Sequence, residues 1–178
     1  MKRAFLLAIA AVLAVGVAAA ADNPGDAIVG LWKTEPDVHG YAIVQITRQG
    51  KRYNGRIVWL EKPLYGPDEE RPGKPKVDLN NSDPKLRERP ILGLELVKSF
   101  VYNGKGKWKK GTIYDPNKGK TYKCKAWLAD ADTLKLRGYI GFSLLGRNAT
   151  WKRVAALPEA SAAAPEPSPA PAPAPAGS

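Results

Sequence analysis

Residues 121–153, TYKCKAWLADADTLKLRGYIGFSLLGRNATWKR, decide how this chain is read. Tyr122, Cys124, Ala126 and Leu128 alternate with Thr121, Lys123, Lys125 and Trp127, the period of two of a half-buried strand whose lysines face water. Ala129-Asp130-Ala131-Asp132 supplies a tight turn, after which Leu134, Leu136, Gly138 and Ile140 fall on one face and Lys135, Arg137 and Tyr139 on the other. The pattern predicts a hairpin, with a last strand over Ala149 to Val154.

Upstream the same periodicity recurs. Gly30 to Thr34 reads as a short strand, and Tyr41 to Thr47 as a second, with Ala42, Val44 and Ile46 on one face. After the turn Arg48 to Lys51, a third strand lines up Tyr53, Gly55, Ile57 and Trp59. From Glu61 to Pro90 the alternation gives way to prolines and charges, a connection far longer than a hairpin needs, of the kind that serves as a lid or binding loop. Within it Asp83-Pro84 before Lys85-Leu86-Arg87 has an N-cap and a first-turn proline, which predicts one or two helical turns. Leu92, Leu94, Leu96 and Phe100 then mark a strand, Asn103 to Gly106 a turn, Trp108 to Tyr114 a strand, and Asp115 to Gly119 a turn. Eight short antiparallel strands with almost no helix predict an up-and-down barrel or a sandwich. Closure is physically preferred because it leaves no unpaired sheet edge.

The two ends read differently. Residues 1–21 have the layout of a secretory signal peptide: Lys2-Arg3, an apolar run from Ala4 to Val17, and Ala18 to Ala21, with cleavage expected after Ala20 or Ala21. The apolar run is shorter than a bilayer span requires, so no transmembrane segment is expected in the mature protein, which would be periplasmic or secreted. Residues 157–178 are Pro, Ala, Ser, Glu and Gly, a composition that cannot bury a core and favours an extended tail. Residues 22–156 form the single expected domain. The chain's net charge of +11 lies wholly in that domain, since Lys2, Arg3, Glu159 and Glu166 cancel. Such a surface attracts anionic lipids or polymers, or serves only solubility; export argues against nucleic acid.

Cys124 is the only cysteine and His39 the only histidine, which excludes an intramolecular disulfide and the usual His/Cys metal cluster. Cys124 lies among inward-facing positions and reads as a small buried hydrophobe.

Several motifs together resemble the DUF2147 family of exported bacterial proteins. They are Gly55-Arg56-Ile57-Val58-Trp59-Leu60; Asp78 to Pro84 with Leu86-Arg87; Arg89-Pro90-Ile91-Leu92-Gly93; Gly111-Thr112-Ile113-Tyr114-Asp115-Pro116; Gly119 to Tyr122; and Leu136-Arg137-Gly138-Tyr139-Ile140-Gly141 with Leu145-Gly146-Arg147 and Trp151. The resemblance spans Ile28 to Arg153 and implies an eight-stranded, lipocalin-like (calycin-type) barrel with an internal cavity and no established biochemical role. Gly30-Leu31-Trp32 also looks like the Gly-x-Trp of lipocalins, whose tryptophan closes one barrel end beneath an arginine from the last strand. Arg153 is the candidate partner of Trp32.

Candidate ligand-binding residues are Trp59, Trp108, Tyr114, Asp115, Tyr122, Arg137, Tyr139 and Arg147. Two guanidinium groups near phenols suit a carboxylate or phosphate, and the tryptophans suit an apolar body. Structural readings stand beside these: Asp115 as turn chemistry, the tryptophans as core, and Arg137 turned away from the leucine face. Asp78-x-Asn80-x-Ser82 superficially opens like a calcium loop, but Asp83 stands where the turn glycine belongs and Arg89 where the bidentate glutamate belongs, so a turn and helix cap is expected. No catalytic trio, phosphate loop or paired carboxylates can be assembled. The expectation is an exported, non-enzymatic protein, without cofactor or metal, that holds a small, partly apolar or lipid-like ligand with an acidic headgroup. The alternatives are a basic surface module in which Lys109, Lys110, Lys123 and Lys125 meet anionic envelope polymers or lipid headgroups, and, third, a hydrolase using Asp115 or Asp83.

Overall fold

The structure, a computed structural model, describes residues 23–158 apart from Phe142, Ser143 and Leu145; the expected signal peptide and nearly all of the expected tail lie outside them. Eight strands follow in chain order: β1 (Gly30–Lys33), β2 (Ala42–Gln49), β3 (Arg52–Leu60), β4 (Glu95–Tyr102), β5 (Lys107–Asp115), β6 (Lys120–Asp130), β7 (Thr133–Tyr139) and β8 (Gly146–Val154). Each pairs antiparallel with the next, and β8 pairs back onto β1 through Leu31 with Val154, Trp32 with Arg153 and Lys33 with Lys152. The barrel is closed, so no strand is left with an unpaired edge.

Alternation along the strands builds the interior. Val44 and Ile46 of β2, Ile57 of β3, Val97 and Phe100 of β4, Cys124 and Ala126 of β6, Leu134 and Leu136 of β7 and Trp151 of β8 are all buried in one cluster. Each large apolar side chain removed from water contributes about 1.5 to 3 kcal/mol before conformational entropy is subtracted. Where the partner ring needs space the sequence supplies glycine: a Cβ on Gly111 of β5 would run into the Phe100 ring.

Bulges change the expected parity in three places. In β3 the register slips so that Val44 faces Ile57 while Ile43 faces Trp59; Leu60 and Ala42 then turn inward, and Trp59 joins Ile43 outside the core cluster. In β4 the register shifts twice against β3, and Ser99 takes φ 60, so Val97 joins the expected Leu94, Leu96 and Phe100 in the core. That strand begins only at Glu95, and Leu92 is exposed. In β5 a shift between Trp108 and Gly111, with Lys110 at φ 61, leaves Lys109 and Lys110 both in solvent. At the far end of β7, Ile140 lies beyond the strand and is 68% exposed. It does not continue the inner face, because pairing stops at Tyr139 opposite Gly146.

Two short 3-10 turns complete the secondary structure of the described residues. Pro84–Leu86, capped by Asp83 Oδ1 accepting from Lys85 N at 3.0 Å, is what the expected helical turns amount to. Pro24–Ile28 precedes β1 and has no counterpart in the periodicity, being too short to show one.

Candidate functional site at the open end

The two ends of the barrel are finished differently, and the difference locates the candidate site. At the lower end the turn Pro24–Ile28 folds beneath the strands. Trp32 Nε1 donates to Ile28 O at 2.8 Å, and the Arg153 guanidinium stands 4.2 Å from the centre of the Trp32 ring. That guanidinium also donates to Ala131 O at 2.9 Å, Val29 O at 2.9 Å and Ala27 O at 2.6 Å, tying the turn to the last strand. Trp108, a candidate ligand residue, lies in this floor. It is buried, its Nε1 donates to Gly25 O at 3.0 Å, and its ring packs against Tyr102 and edge-on to Tyr53. Burial and the bond its hydroxyl donates to Asp26 Oδ1 at 2.9 Å push the Tyr53 phenol up to about 12.

At the upper end the long connection from Glu61 to Leu94 is pinned by a buried carboxylate. Asp78, fully buried, accepts from the Tyr114 hydroxyl at 2.7 Å, from Asn81 Nδ2 at 2.7 Å and from Arg89 Nε at 2.9 Å, with Arg89 Nη2 2.7 Å away. A charge so far from water persists only when its lone pairs are all engaged. Burial, followed by the bond to Asp78, raises the Tyr114 phenol above its ordinary pKa. Tyr114 is therefore a staple for the connection. The same connection presses Asn80 so close to Gly119 that a Cβ there would collide with the Asn80 carbonyl, and Gly119 has φ 61 besides.

The segment between β1 and β2 crosses the same end. Asp37 Oδ2 accepts from Asn117 Nδ2 at 2.8 Å, joining the β1–β2 connection to the β5–β6 turn on the opposite side of the eight-membered ring. Asn80 Nδ2 reaches Asn117 O at 3.2 Å, and His39 Nδ1 approaches Glu69 Oε1 at 3.9 Å. These links form a strap. Beside it, on the β5 to β8 side, the inward-facing Ile113, Tyr122, Gly138 and Ala149 are only half buried. Gly138 leaves room between Ile113 and Tyr122, its Cα partner on β8 is Arg147, and Arg147 is exposed on the same face as Ala149. Among the described residues the Arg147 side chain makes no hydrogen bond or ion pair.

Of the candidate residues, the structure brings Tyr122 and Arg147 together at this opening and sends the others elsewhere. Arg137 and Tyr139 lie on the outer face of β7: Arg137 donates to Asn148 Oδ1 at 2.8 Å and Leu144 O at 2.9 Å, and Tyr139 sits between Lys123 and Gly146. Asp115 closes its turn by accepting from Asn117 N at 3.1 Å and Lys118 Nζ at 3.0 Å. Trp59 stacks on Tyr41 outside the barrel at 5.1 Å, displaced there by the β3 bulge. Trp127 is also outward, between Lys107 and Lys135. Cys124 is buried, which pushes its thiol up to about 12 and leaves it unreactive. Among the described residues no group of three His, Cys, Asp or Glu side chains stands ready for a metal ion.

The staple of Asp78, Asn81 and Arg89 on Tyr114 went unread in the sequence. The available signal was an aspartate set between Val77 and Leu79 in a connection otherwise rich in solvated charge. An open groove of about 590 Å³, walled by Pro72, Pro75, Val77 and Pro90 with Arg71 and Glu88 at its edge, runs along that connection. It draws on no barrel strand.

Among solved structures the chain is similar to one described as "Protein HP1028 from the human pathogen Helicobacter pylori belongs to the lipocalin family". The match has a TM-score of 0.60 and 22% identity, and covers 71% of this chain and 82% of that one. At that identity the likeness speaks for the fold, which is lipocalin-like. No curated protein matches the sequence. A family model described as "Uncharacterized protein conserved in bacteria (DUF2147)" matches residues 30–153, the whole closed barrel from β1 to the arginine beneath its floor, and the chain belongs to that family.

Proposed function

We propose that this is an exported carrier that performs no chemistry on its ligand, and that the half-covered end of the barrel takes a small amphipathic molecule with an anionic headgroup. The observation that carries the reading is the asymmetry of the mouth. Solvent reaches inward-facing Ile113, Tyr122 and Ala149 on the β5 to β8 side, and it is on this side that Arg147 stands, its side chain with no partner among the described residues. An apolar lining with one cation at its edge is the chemistry of an amphipathic guest, whose headgroup a guanidinium can hold by two hydrogen bonds. The layout of residues 1–21 supports export.

The test is native mass spectrometry of protein recovered from its host without denaturation, followed by rebinding of whatever acidic amphiphile is released. Gly138→Leu, which fills the gap between Ile113 and Tyr122, and Arg147→Gln are each expected to weaken rebinding by about tenfold or more, the loss of roughly one charge-assisted hydrogen bond or one ligand pocket wall. Protein that carries nothing, or rebinding indifferent to both substitutions, would end this reading.

A second reading is favoured by one observation. Lys107, Lys109, Lys110 and Lys123 are exposed and, among the described residues, make no ion pair, and Lys110 holds a φ that glycine would adopt at less cost. That face suits an anionic envelope polymer. Polymer binding would weaken steeply with added salt, whereas an enclosed amphiphile would be nearly indifferent to it.

A further inference from the structure

Connections on a protein surface are ordinarily polar, and single exposed apolar residues carry no message. Here they are not scattered. Among the described residues the most exposed large apolar side chains are Leu144 at 87%, Val38 at 83% and Ile140 at 68%, and all three sit at the upper rim. Ile140 and Leu144 belong to the β7–β8 connection and Val38 to the strap, which starts beside β8 because β8 pairs with β1 and reaches across the same end through Asp37. The β1–β2 segment is held against β8 by Glu35 Oε1, which accepts from Thr150 N at 2.9 Å.

Cations flank the apolar tip. Arg137 donates to Leu144 O at 2.9 Å, so its guanidinium is fastened to the tip itself, and Arg147 begins the descending strand. The carboxylates on the strap are engaged: Glu35 with Thr150, and Asp37 with Asn117 and the His39 amide. Apolar side chains projecting beyond a collar of arginine match a bilayer surface, where the former enter the acyl boundary and guanidinium stays at phosphate depth. A soluble polyanion would use the collar and leave Leu144 and Ile140 in water.

From this juxtaposition we infer that the open rim docks on an anionic lipid bilayer through Ile140, Leu144 and Val38, with Arg137 and Arg147 at the phosphates. Docked so, the opening beside Tyr122 faces the membrane, from which an amphiphile would enter without crossing water. The inference goes beyond the carrier reading and needs no guest in the barrel.

The experiment reads the rim alone. The full chain carrying Leu144→Cys is labelled there with an environment-sensitive fluorophore, Cys124 being buried, and mixed with vesicles of phosphatidylcholine with or without phosphatidylglycerol. The expected result is a blue shift and quenching by acyl-chain-labelled lipid on the anionic vesicles, with no shift for the label at Lys51→Cys on the opposite end. Replacing Arg137 and Arg147 together by glutamine should raise the lipid concentration needed by about tenfold or more. No shift at 144, an equal shift at 51, or binding abolished by a soluble polyanion and never accompanied by a shift would overturn it. Vesicles without amphiphile test docking alone, so its failure leaves the carrier reading intact, and an empty barrel leaves docking intact.

Discussion

The lower end of the barrel is closed mainly by packing and the upper end mainly by a buried charge, and the contrast is why the carrier reading uses the upper end. Below, Trp32, Trp108 and Tyr53 are buried against the turn Pro24–Ile28, Arg153 lies over an indole and on three carbonyls, and Arg48 pairs with Asp26 of the turn at 3.3 Å. Above, the covering connection is held by one carboxylate, Asp78, and by a strap hydrogen-bonded at Asp37 and Asn117. Packed aromatic surface closes an end for good, since any opening exposes it to water. Hydrogen-bonded loops leave gaps between their anchor points, and beside these anchors Tyr122 and Gly138 are half buried and Arg147 is exposed.

The largest expected effect sits in the floor. Trp32→Ala removes the ring under Arg153 and the bond to Ile28 O, and should cost about 3 to 5 kcal/mol of global stability, measured as a lower urea midpoint with unchanged slope. A loss under about 1 kcal/mol would show that the floor does not hold the barrel together. Next comes the upper staple. Asp78→Ala strands the Arg89 guanidinium, the Asn81 amide and the Tyr114 hydroxyl, at a cost of about 3 kcal/mol. Because Arg89 is partly in solvent, the damage should be local: faster amide exchange across residues 76–91, with the barrel strands still protected. Strands that lose protection equally would erase the contrast between the two ends.

Most of the barrel was readable because strand parity is a local property. Tyr122 to Leu128 and Leu134 to Gly138 obey it without interruption, and both strands lie where the alternation puts them. What the alternation could not foresee are the bulges, since one extra residue reverses every later side chain. Trp59 lies outside the barrel and Val97 inside it for that reason alone. The site was less readable still. Tyr114 and Asp115 are adjacent in sequence, but one staples a connection more than thirty residues upstream and the other closes its own turn. Alternation alone turns Arg137 outward, whereas the inner position of Arg147 is set only by its register opposite Gly138. Cross-chain partners such as Asp78 with Tyr114 leave no periodic trace, and short polar connections have no period to read.

A smaller effect is expected where the upper connection touches the β5–β6 turn. Gly119→Ala must move Asn80 and strain a φ of 61, which should cost about 2 kcal/mol and loosen the connection without unfolding the strands. Proteolysis within residues 61–90 of the native protein is the measurement, and cleavage no faster than in the parent would show that the contact yields freely.

Smaller again is a response the two ends share. Each locks a tyrosine hydroxyl on an aspartate, Tyr53 on Asp26 below and Tyr114 on Asp78 above, and both phenols are raised above 10, Tyr53 to about 12. A folded-state pKa above the unfolded value means the contribution is whole below pH 10 and is lost as pH rises toward 12. Stability should therefore fall across that window. Tyr53→Phe should flatten the global loss while itself costing about 1.5 kcal/mol at neutral pH; Tyr114→Phe should flatten only the exchange rates of the connection. Identical responses from the two variants would mean that the ends are not separable.

The least effect belongs to Arg153→Lys, which keeps the cation but gives up the planar fork that serves Ala27, Val29 and Ala131 at once. An ammonium still lies near the Trp32 face, so the loss should be about 1 kcal/mol. If the floor is held by packing, Trp32→Ala costs several times more than this, and the arginine orients the turn while the indole holds it. Should Arg153→Lys cost as much as Trp32→Ala in the same urea titration, the lower end too would be closed by hydrogen-bonded charge, and the physical difference between the two ends would vanish.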